Sequence, residues 1–531
     1  MALARLGTKL FTVRTLARAG VAKPARPDRL VRSLRVLRAW GKTPASGYGV
    51  SAVRYPNEPA IIDELGTITF EELDRRTNAI ARRWKADGIG PGRCVAILCR
   101  NHRGFVEATL SASKTGADML YLNTSFAGPQ IAEVCRAEGP TALVHDAEFT
   151  ELVTEASRGM VRYVAWEEGE VDVPTMRELA ASGDERPLEP PPKPGRVVIL
   201  TSGTTGTPKG AGRHHPTSLD PAAALLDMIP LRARERTMIA APMFHSWGLA
   251  HFNLGLTLST TLVLQRRFDP VKVLDGIAEH RVQALIVVPV MLQRLLEARR
   301  ESPVRHDLSS LRIIAASGSA LPGHLANEVM DEFGEVLYNL YGSTEVAWAT
   351  IATPEDLRVA PGTAGRPPHG TVLRLYDEEG REVPRGAHGR IYVSNEMQFE
   401  GYTGGGGKDT IDGLMASGDV GHLDENGRLF VDGRDDEMII SGGENVFPRE
   451  VEDLLADHPC IEEVAVVGVD DEDFGQRLRA YVVLCDGMQL TEDDVRAHVR
   501  DNLARYKVPR DVVFLDELPR NATGKVLKRA L

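Results

Sequence analysis

The chain has 531 residues, of which 43% are hydrophobic, and a formal net charge of -11 at pH 7. This length exceeds that of one ordinary domain, and the acidic balance argues against a nucleic-acid partner held by a basic surface field. Its five cysteines form neither a CxxC pair nor a cluster with nearby histidines in the sequence, which predicts reduced thiols in a cytoplasmic protein. The acidic balance favours an enzyme that acts on small molecules.

The first 42 residues are strongly basic, with eleven Arg or Lys and one acidic residue, Asp28. Leu30, Leu34 and Leu37 recur at the spacing of one helix face, which predicts an amphipathic helix. Three interpretations stay open: a helix that packs on the protein body, a helix that lies on an anionic membrane, and a transit peptide. We therefore treat residues 1–48 as a separate basic segment and as a candidate for peripheral membrane contact.

From about Tyr55, apolar strand-like runs alternate with helix-like segments, which is typical of a largely parallel α/β architecture. The clearest predicted strands are VAILCR, TALVHD, RVVILTS, ALIVVPV and LRIIAAS. The apolar run at residues 284–292 is about half as long as the roughly 18 residues that a membrane-spanning helix needs, and Pro289 interrupts it. The sequence thus predicts a large α/β domain and no transmembrane helix.

A Pro-rich linker at residues 187–195 leads into a strand and then into the loop LTSGTTGTPKG. Glycines let backbone N–H groups converge, while hydroxyls and a lysine add donors, so the loop predicts an anion site at a strand end. It is not the phosphate loop of nucleotide triphosphatases, because Pro208 and Gly210 stand where that pattern requires Gly and Ser/Thr.

The last third of the chain predicts two smaller units. Between residues 362 and 430, short strands alternate with turns, which indicates a β-rich subdomain in which TGGGG forms a flexible loop. After Arg434, a helix, the β-rich runs VAVVGV and RAYVVLC, a helix capped by Thr491 and a last strand VVFL predict a compact α+β domain.

Five motifs occur together: TSGTTGTPKG at 201–210, YGSTE at 341–345, SGD at 417–419, GRDDEMIISGGENVFPREVE at 433–452 and PRNATGKVLK at 519–528. In this order and spacing the chain resembles the adenylate-forming superfamily, which contains acyl-CoA synthetases, peptide-synthetase adenylation domains and luciferases. Within it the chain is most similar to fatty-acid CoA ligases. The resemblance covers nearly everything from about residue 50 onward. It implies an ATP- and acid-binding domain over residues 49–434 and a mobile C-terminal domain over residues 437–531, with Asp436 as the hinge.

The resemblance also implies the nucleotide site. The phosphate loop is expected to cradle the β- and γ-phosphates, an aromatic face at Tyr341 to stack on the adenine, and Asp419 with Arg434 to bind the ribose hydroxyls. Ser417 stands where the family more often has Thr. The implied ATP-binding residues are Thr201, Ser202, Gly203, Thr204, Thr205, Gly206, Lys209, Gly318, Ser319, Tyr341, Gly342, Asp419 and Arg434.

Catalytic and acid-binding roles follow from the same resemblance. Lys525 is expected to orient the attacking carboxylate against the α-phosphate, Thr344 to contact that phosphate, and Glu345 to hold Mg²⁺. His245 and Trp247 are expected to line the acid entrance. Gly442 and Gly443 are expected to let the backbone approach the pantetheine arm of CoA. Asn521 stands where the family usually has Thr.

The expected function is therefore ATP- and Mg²⁺-dependent activation of a carboxylic acid, a fatty acid in the first instance, to acyl-AMP with release of pyrophosphate, followed by transfer to CoA. Peptide-synthetase domains of the superfamily usually carry an aspartate in the segment that matches Pro242 to Leu254, and none stands there in this chain, so the resemblance implies a plain acid rather than an amino acid. Alternatives are a fatty-acyl-AMP ligase that loads a carrier-protein thiol, a ligase for an aryl or other small acid, a phosphotransferase and a non-catalytic lipid-binding scaffold. No motif indicates the acyl chain length or the oligomeric state.

Overall fold

The computed structural model describes residues 2–22, 26–201, 209–213, 218–399, 401–403, 405–441, 444–471, 475–521 and 524–531. The helices are α1 (Ala2–Arg18), α2 (Pro27–Trp40), α3 (Pro44–Arg54), α4 (Phe70–Ala86), α5 (Arg103–Thr115), α6 (Gly128–Glu138), α7 (Met176–Ser182), α8 (Asp220–Met228), α9 (Ser246–Leu258), α10 (Pro270–His280), α11 (Pro289–Glu301), α12 (Gly323–Phe333), α13 (Pro354–Val359), α14 (Pro448–Ala456) and α15 (Glu492–Asn502).

The strands are β1 (Pro59–Asp63), β2 (Gly66–Thr69), β3 (Cys94–Leu98), β4 (Asp118–Tyr121), β5 (Ala142–Asp146), β6 (Val161–Trp166), β7 (Val197–Thr201), β8 (Lys209–Arg213), β9 (Arg236–Ile239), β10 (Thr261–Val263), β11 (Ala284–Val287), β12 (Ile313–Ala316), β13 (Leu337–Tyr341), β14 (Thr350–Ala352), β15 (Val372–Tyr376), β16 (Gly389–Ser394), β17 (Thr410–Ile411), β18 (Leu414–Leu423), β19 (Leu429–Arg434), β20 (Ile439–Ser441), β21 (Glu444–Val446), β22 (Ile461–Asp471), β23 (Gly475–Leu484) and β24 (Asp511–Phe514).

Two mainly parallel sheets build the large N-terminal part. One has the order β14-β13-β12-β11-β9-β10-β1-β2 and is antiparallel only at its two edges; the other has the order β6-β5-β3-β4-β7-β8 and ends in the antiparallel hairpin of β7 and β8. All five strands that the sequence predicted by their apolar runs lie in these sheets. The mainly parallel α/β class is therefore confirmed, as expected for strands buried on both faces.

Helix α5 joins the two sheets, and all of its residues are buried. It follows β3 of one sheet, and the Arg103 guanidinium at its start pairs with Asp63 at the end of β1 of the other sheet, at 2.5 Å between Nη2 and Oδ1. Nearby, Asn101 donates to the Ile239 and Ala241 carbonyl oxygens, both at 2.9 Å. Buried ionic and amide groups are tolerated only when paired, so these contacts fix how the segment after β9 leaves the sheet.

The smaller units match the sequence expectations. An antiparallel sheet of order β15-β16-β18-β17, with β19 paired to β18, forms the β-rich subdomain. The C-terminal unit carries α14 and α15 on a sheet of order β21-β20-β23-β22, to which β24 adds in parallel. Its own apolar core centres on residues such as Val451 and Val482. The predicted α+β character of this unit, including the Thr491 cap of α15, is confirmed.

The basic N-terminal segment folds as helices packed on the body, but not through its leucines. Helix α2 packs on α3 through Ser33, which is buried, and Val36, which lies against Gly49. Leu30, Leu34 and Leu37 instead face solvent, at 51%, 57% and 45% exposure. The interpretation in which the leucines of α2 pack on the protein body is therefore wrong. Within the described residues, no helix is both long enough and apolar enough to cross a bilayer.

Candidate active site

The candidate site lies where neighbouring parallel strands end. Strands β9, β11, β12 and β13 are adjacent in one sheet, so the residues that follow them share one edge. His245 follows β9, Val288 follows β11, Gly318 follows β12 and Gly342 follows β13. The crevice outside the carboxyl ends of parallel strands is the usual ligand position in open α/β sheets.

Asp419 is the centre of the predicted ribose and adenine group. The Tyr341 hydroxyl donates to Asp419 Oδ2 at 2.5 Å, and Arg434 Nη1 lies 3.4 Å from Asp419 Oδ1. The pairing is set by sheet register, because Asp419 on β18 lies directly opposite Arg434 on β19. Burial raises the pKa of Asp419, and the hydrogen bond from Tyr341 and the charges of Arg434, Lys525 and Lys408 oppose that rise. Burial also raises the pKa of Tyr341 well above its usual value, so the phenol remains a donor.

Glu345, the predicted Mg²⁺ ligand, is held by two hydroxyl groups. Ser343 Oγ donates to Glu345 Oε2 and the Tyr402 hydroxyl donates to Oε1, each at 3.0 Å. A carboxylate has about four acceptor positions, so room remains for a cation. One carboxylate combined with phosphate oxygens is the usual protein environment of Mg²⁺, and Glu345 fits that requirement.

The phosphate-loop hairpin begins beside Glu345. Thr201 and Lys209 face each other where β7 and β8 pair, and the Gly210 carbonyl accepts a hydrogen bond from Thr403 N at 2.8 Å. Tyr402, next to Thr403, is the residue that binds Glu345. The backbone therefore places the base of the phosphate loop next to the predicted magnesium ligand. Five other predicted loop residues lie outside the described residues: Ser202, Gly203, Thr204, Thr205 and Gly206.

Lys525 lies close enough to the nucleotide group for its charge to lower the pKa of Asp419. A tight turn presents it: Asn521 N donates to the Lys525 carbonyl, and Lys525 N donates to Asn521 Oδ1, both at 2.9 Å. The Asn at position 521 thus closes the turn with its side chain. Gly524 seats this turn against the start of α11, where a Cβ at position 524 would stand 2.3 Å from Val290 Cγ1. The structure therefore shows the turn that carries Lys525 packed against the start of α11, in the pose that the predicted role of Lys525 requires.

The predicted acid-binding residues form an aromatic wall at the start of α9. Trp247 donates from Nε1 to the Val287 carbonyl at 3.0 Å, and His251 packs edge-on against its ring at 4.2 Å. His245 Nε2 is buried and has no hydrogen-bond partner among the described residues. Burial lowers the pKa of His245 and of His251 to about 4, so both imidazoles are neutral at pH 7. The wall therefore offers a neutral surface with one free polar atom.

Three residues of this site were missed by the sequence analysis: Tyr402, Lys408 and His251. The run TGGGG that directly follows Tyr402 was interpreted as a flexible loop, and Tyr402 itself was given no role although it contacts Glu345 directly. Lys408 Nζ lies beside Gly418, 3.3 Å from where a Cβ would stand. His251 had a sequence signal, since it lies one helical turn after Trp247 on α9.

The structure corrects the expectation that no cysteine would cluster with histidine. Ligand atoms of Cys99, His102 and Asp146 lie within 4.8 Å of one another, and all three residues are buried. His102 Nε2 contacts Asp146 Oδ1 at 2.8 Å, while Nδ1 accepts from Gly104 N at 3.0 Å. Because Nδ1 caps α5 and Nε2 pairs with Asp146, both ring nitrogens are engaged within the protein, and this cluster is structural. The described cysteines are free thiols, as predicted.

The structure gives the positions of other predicted site residues, and their roles stay predictions. Ser319 and Thr344 follow strands β12 and β13, beside Gly318 and Gly342. Gly342 is required sterically, since a Cβ there would stand 2.0 Å from the Ala347 carbonyl oxygen. Asp436 lies in the short 3-10 turn Asp435–Glu437 directly after β19. Gly442 and Gly443 lie outside the described residues, and their CoA role stays a prediction.

Comparison with known proteins gives consistent matches over most of the chain. Residues 50–403 match the sequence model of the AMP-binding enzymes, and residues 450–525 match that of the AMP-binding enzyme C-terminal domain. The chain is 34% identical to an indoleacetate–CoA ligase from Aromatoleum aromaticum over 90% of this chain and 94% of that protein. It is 30% identical to the fatty acid–[acyl-carrier-protein] ligase ScoC of Streptomyces coeruleorubidus, over 90% and 93% of the two chains.

Among solved structures, the fold is similar to o-succinylbenzoate CoA synthetase from Bacillus subtilis in complex with its acyl-adenylate intermediate. The TM-score is 0.79 and the identity 28%, over 91% of this chain and 97% of the other. The similarity therefore extends through both the large domain and the C-terminal unit.

Proposed function

The chain belongs to the AMP-binding enzyme family and is an ATP-dependent acid:CoA ligase that works through an acyl-adenylate, and we propose that it performs this chemistry with the residues gathered around Asp419. Enzymes of this kind use ATP, Mg²⁺ and CoA. The observation that supports the proposal is that the turn carrying Lys525 packs on α11 and that the charge of Lys525 acts on Asp419, which pairs with Arg434.

In the first half-reaction, a carboxylate attacks the α-phosphorus and pyrophosphate leaves. Both partners are anionic, so the ammonium of Lys525 would offset their repulsion and orient the acid. Asp419 and Arg434 would hold the ribose, and Tyr341 would present its ring to the adenine. Glu345 would hold Mg²⁺, which neutralises phosphate charge when it is bound.

In the second half-reaction the CoA thiol attacks the acyl carbonyl and AMP leaves. In the proposed adenylating pose Lys525 would occupy the nucleotide site, so the C-terminal unit would have to move before its other face could serve the thiol. Asp436 is the proposed hinge, because it lies in the short turn that directly follows the ribose-binding strand β19. Gly442 and Gly443 are the proposed approach to the pantetheine arm.

For the acid itself, we favour an aryl or other compact acid. Trp247 and His251 form a buried and neutral wall of two rings set edge-on to each other, which suits an aromatic ring packed edge-on or offset. Two of the similar proteins are an indoleacetate–CoA ligase and an o-succinylbenzoate CoA synthetase. The free Nε2 of His245 is available to a polar substituent of such an acid.

A fatty acid is the second candidate, supported by the outward leucines of α2 and by the similarity to a fatty-acid ligase. A panel of indoleacetate, ferulate, octanoate and palmitate, assayed by AMP and pyrophosphate release, separates the two. A preference of at least tenfold in kcat/KM for the aryl acids is expected. A preference for palmitate would reverse the assignment, and release of ADP would refute adenylation altogether.

A separate assay of thioester formation tests the acyl acceptor. CoA is proposed because most of the C-terminal unit matches that of the AMP-binding enzymes and the similar proteins include CoA ligases. Supplying acyl-AMP with CoA, or with a phosphopantetheinylated carrier protein, distinguishes the acceptors. Thioester formed only on the carrier would favour the acyl-AMP ligase alternative.

We also propose that α2 attaches the enzyme to an anionic membrane surface. Leu30, Val31, Leu34 and Leu37 form one outward stripe that is about half exposed at each position. Arg32, Arg35 and Arg38 on the same helix are also exposed, and they add positive charge to a chain whose net charge is -11. A basic helix with an apolar face is the composition that binds the headgroup region of anionic lipid.

Vesicle sedimentation tests this attachment. Burying the exposed halves of three leucines is worth roughly 3 kcal/mol in total, so the combined variant Leu30→Asn, Leu34→Asn and Leu37→Asn should bind vesicles that contain phosphatidylserine at least tenfold more weakly. The control replaces three exposed valines elsewhere, Val304, Val359 and Val372, with Asn. Activity on water-soluble acids should be unchanged in both. Equal sedimentation of both variants would refute attachment through α2.

A further inference from the structure

A second group of ligating side chains lies on the β-rich subdomain, outside the proposed catalytic residues. His388 immediately precedes β16, His422 lies on β18 and Asp432 lies on β19, which are three neighbouring strands. Gly389 pairs with Gly421, so His388 and His422 meet as the next cross-strand neighbours. The sheet therefore brings together two imidazoles and a carboxylate that are distant in sequence.

A β-bulge directs the carboxylate toward the imidazoles. Val420 pairs with Gly433 and Gly421 pairs with Val431, so Asp432 is an extra residue without a partner across the strand. Bulges commonly redirect one side chain out of the regular alternation. Here the redirected Asp432 contacts His388 Nδ1 through Oδ2 at 2.6 Å and His422 Nδ1 through Oδ1 at 3.0 Å.

One side of the group formed by His388, His422 and Asp432 packs against the protein, and the other side is open to solvent. The His422 ring stacks on Phe430 with an interplanar angle of 7° and 5.2 Å between centroids, which fixes its orientation. His388 has 59% of its side chain exposed, so the group can be reached from solvent. One ligand atom from each of the three residues lies within 4.8 Å of the others.

We propose that His388, His422 and Asp432 bind one divalent transition-metal ion such as Zn²⁺, separately from the Mg²⁺ that accompanies ATP. Imidazole nitrogen with one carboxylate oxygen suits Zn²⁺, whereas Mg²⁺ prefers oxygen ligands alone. Three protein ligands leave a fourth position for water. Binding would replace the two hydrogen bonds between Asp432 and the imidazoles with bonds of about 2.0–2.2 Å from each ligand atom to the ion.

The other histidine contacts in the described residues lack one of these features. His306 with Asp275 and His324 with Asp457 are pairs of one histidine and one carboxylate. The buried group around His102 has both ring nitrogens engaged. Among the described residues, only the group around Asp432 combines two histidines, one carboxylate and solvent access.

An ion at this position would connect three strands next to the nucleotide site. His422 lies three residues after Asp419 on β18, and Asp432 lies two residues before Arg434 on β19. Holding β18 to β19 through the ion would stabilise the register that pairs Asp419 with Arg434. We therefore expect the ion to protect the amides of these strands from hydrogen exchange.

The test uses the full-length protein after chelation, with Zn²⁺ added in buffer that contains Mg²⁺ and no ATP. Calorimetric titration should show one equivalent bound, and Co²⁺ in its place should show visible absorption. Exchange of amides in β16, β18 and β19 should slow by up to about 100-fold when Zn²⁺ stands at 100 times its dissociation constant.

Removing one ligand supplies the decisive comparison. His388→Ala lies at an exposed turn, so the fold should persist, and Zn²⁺ affinity should fall at least tenfold. His324→Ala, which removes a histidine from a two-membered pair, is the matched control and should bind as the wild type does. Equal affinity of His388→Ala and the wild type, or no stoichiometric binding by the wild type, would overturn the proposal. Because ATP and acid are absent, neither result depends on the proposed ligase chemistry.

Discussion

Replacing Gly524 with alanine should damage the first half-reaction selectively. Gly524 has φ of +77°, and its added Cβ would stand 2.3 Å from Val290 Cγ1 at the start of α11. That clash exists only while the turn that carries Lys525 is docked on the large domain. The left-handed backbone angle also strains an alanine, by about 1–2 kcal/mol, but this strain belongs to the turn in either pose.

The size of the effect follows from the clash. Forcing an extra methyl group into a packed contact costs about 1–3 kcal/mol, and each 1.36 kcal/mol corresponds to a factor of ten in rate. Acid-dependent pyrophosphate release should therefore fall about 5- to 150-fold. Thioester formation from supplied acyl-AMP and CoA should stay within about threefold, because that step does not use the docked pose.

A second substitution tests the cause. In Val290→Ala the Cγ1 atom is absent and the nearest remaining atom of that residue, Cβ, would stand 3.4 Å from the new methyl group. The double variant of Gly524→Ala with Val290→Ala should therefore recover most of the adenylation rate of Val290→Ala alone. Normal pyrophosphate release by Gly524→Ala, or no recovery in the double variant, would refute docking through this contact.

Three further outcomes are expected. Lys525→Ala should lower acyl-adenylate formation by about 10² or more while leaving thioester formation largely intact, and equal losses in both steps would mark the residue as structural. Asp436→Pro should keep pyrophosphate release within roughly tenfold of wild type but slow thioester formation far more, and a normal rate of acyl-CoA production would exclude rotation at this residue. Hydrogen bonds from Arg100 lower the pKa of Glu148 to about 2 from its usual 4.5. The ionised carboxylate therefore stabilises the folded protein fully above pH 4.5, and this contribution is lost as the pH falls through 2. Glu148→Gln should therefore flatten the acid side of the thermal-unfolding profile, and an unchanged profile would contradict this assignment.

The sequence predicted the fold class and the nucleotide motifs because both leave local patterns. Continuous apolar runs indicate strands that are buried on both faces. The structure has β11 within the run ALIVVPV and other strands of the parallel sheets within the similar runs. Motifs such as SGD and YGSTE identified Asp419, which lies within β18, and Glu345, which follows β13. The roles of these residues in binding ATP remain proposals that the variants above can test.

The sequence was less informative about residues whose neighbours come from distant segments. Tyr402 reaches Glu345 across 57 positions, and nothing in GYTGGGG reports that contact. The leucines of α2 have helical periodicity whichever way they face, since periodicity identifies a stripe but not its partner. Only the packing of Ser33 and Val36 on α3 decided that the stripe points outward.

By itself, the sequence determined the succession of strands and helices and the separate C-terminal unit, because each depends on residues close together in the chain. The tertiary structure alone decided that the charge of Lys525 acts on Asp419, that Gly524 docks on Val290, and that a bulge turns Asp432 toward His388 and His422. These contacts depend on sheet register and on the pose of a whole domain. Both are set by the summed packing of many residues, which no local pattern records.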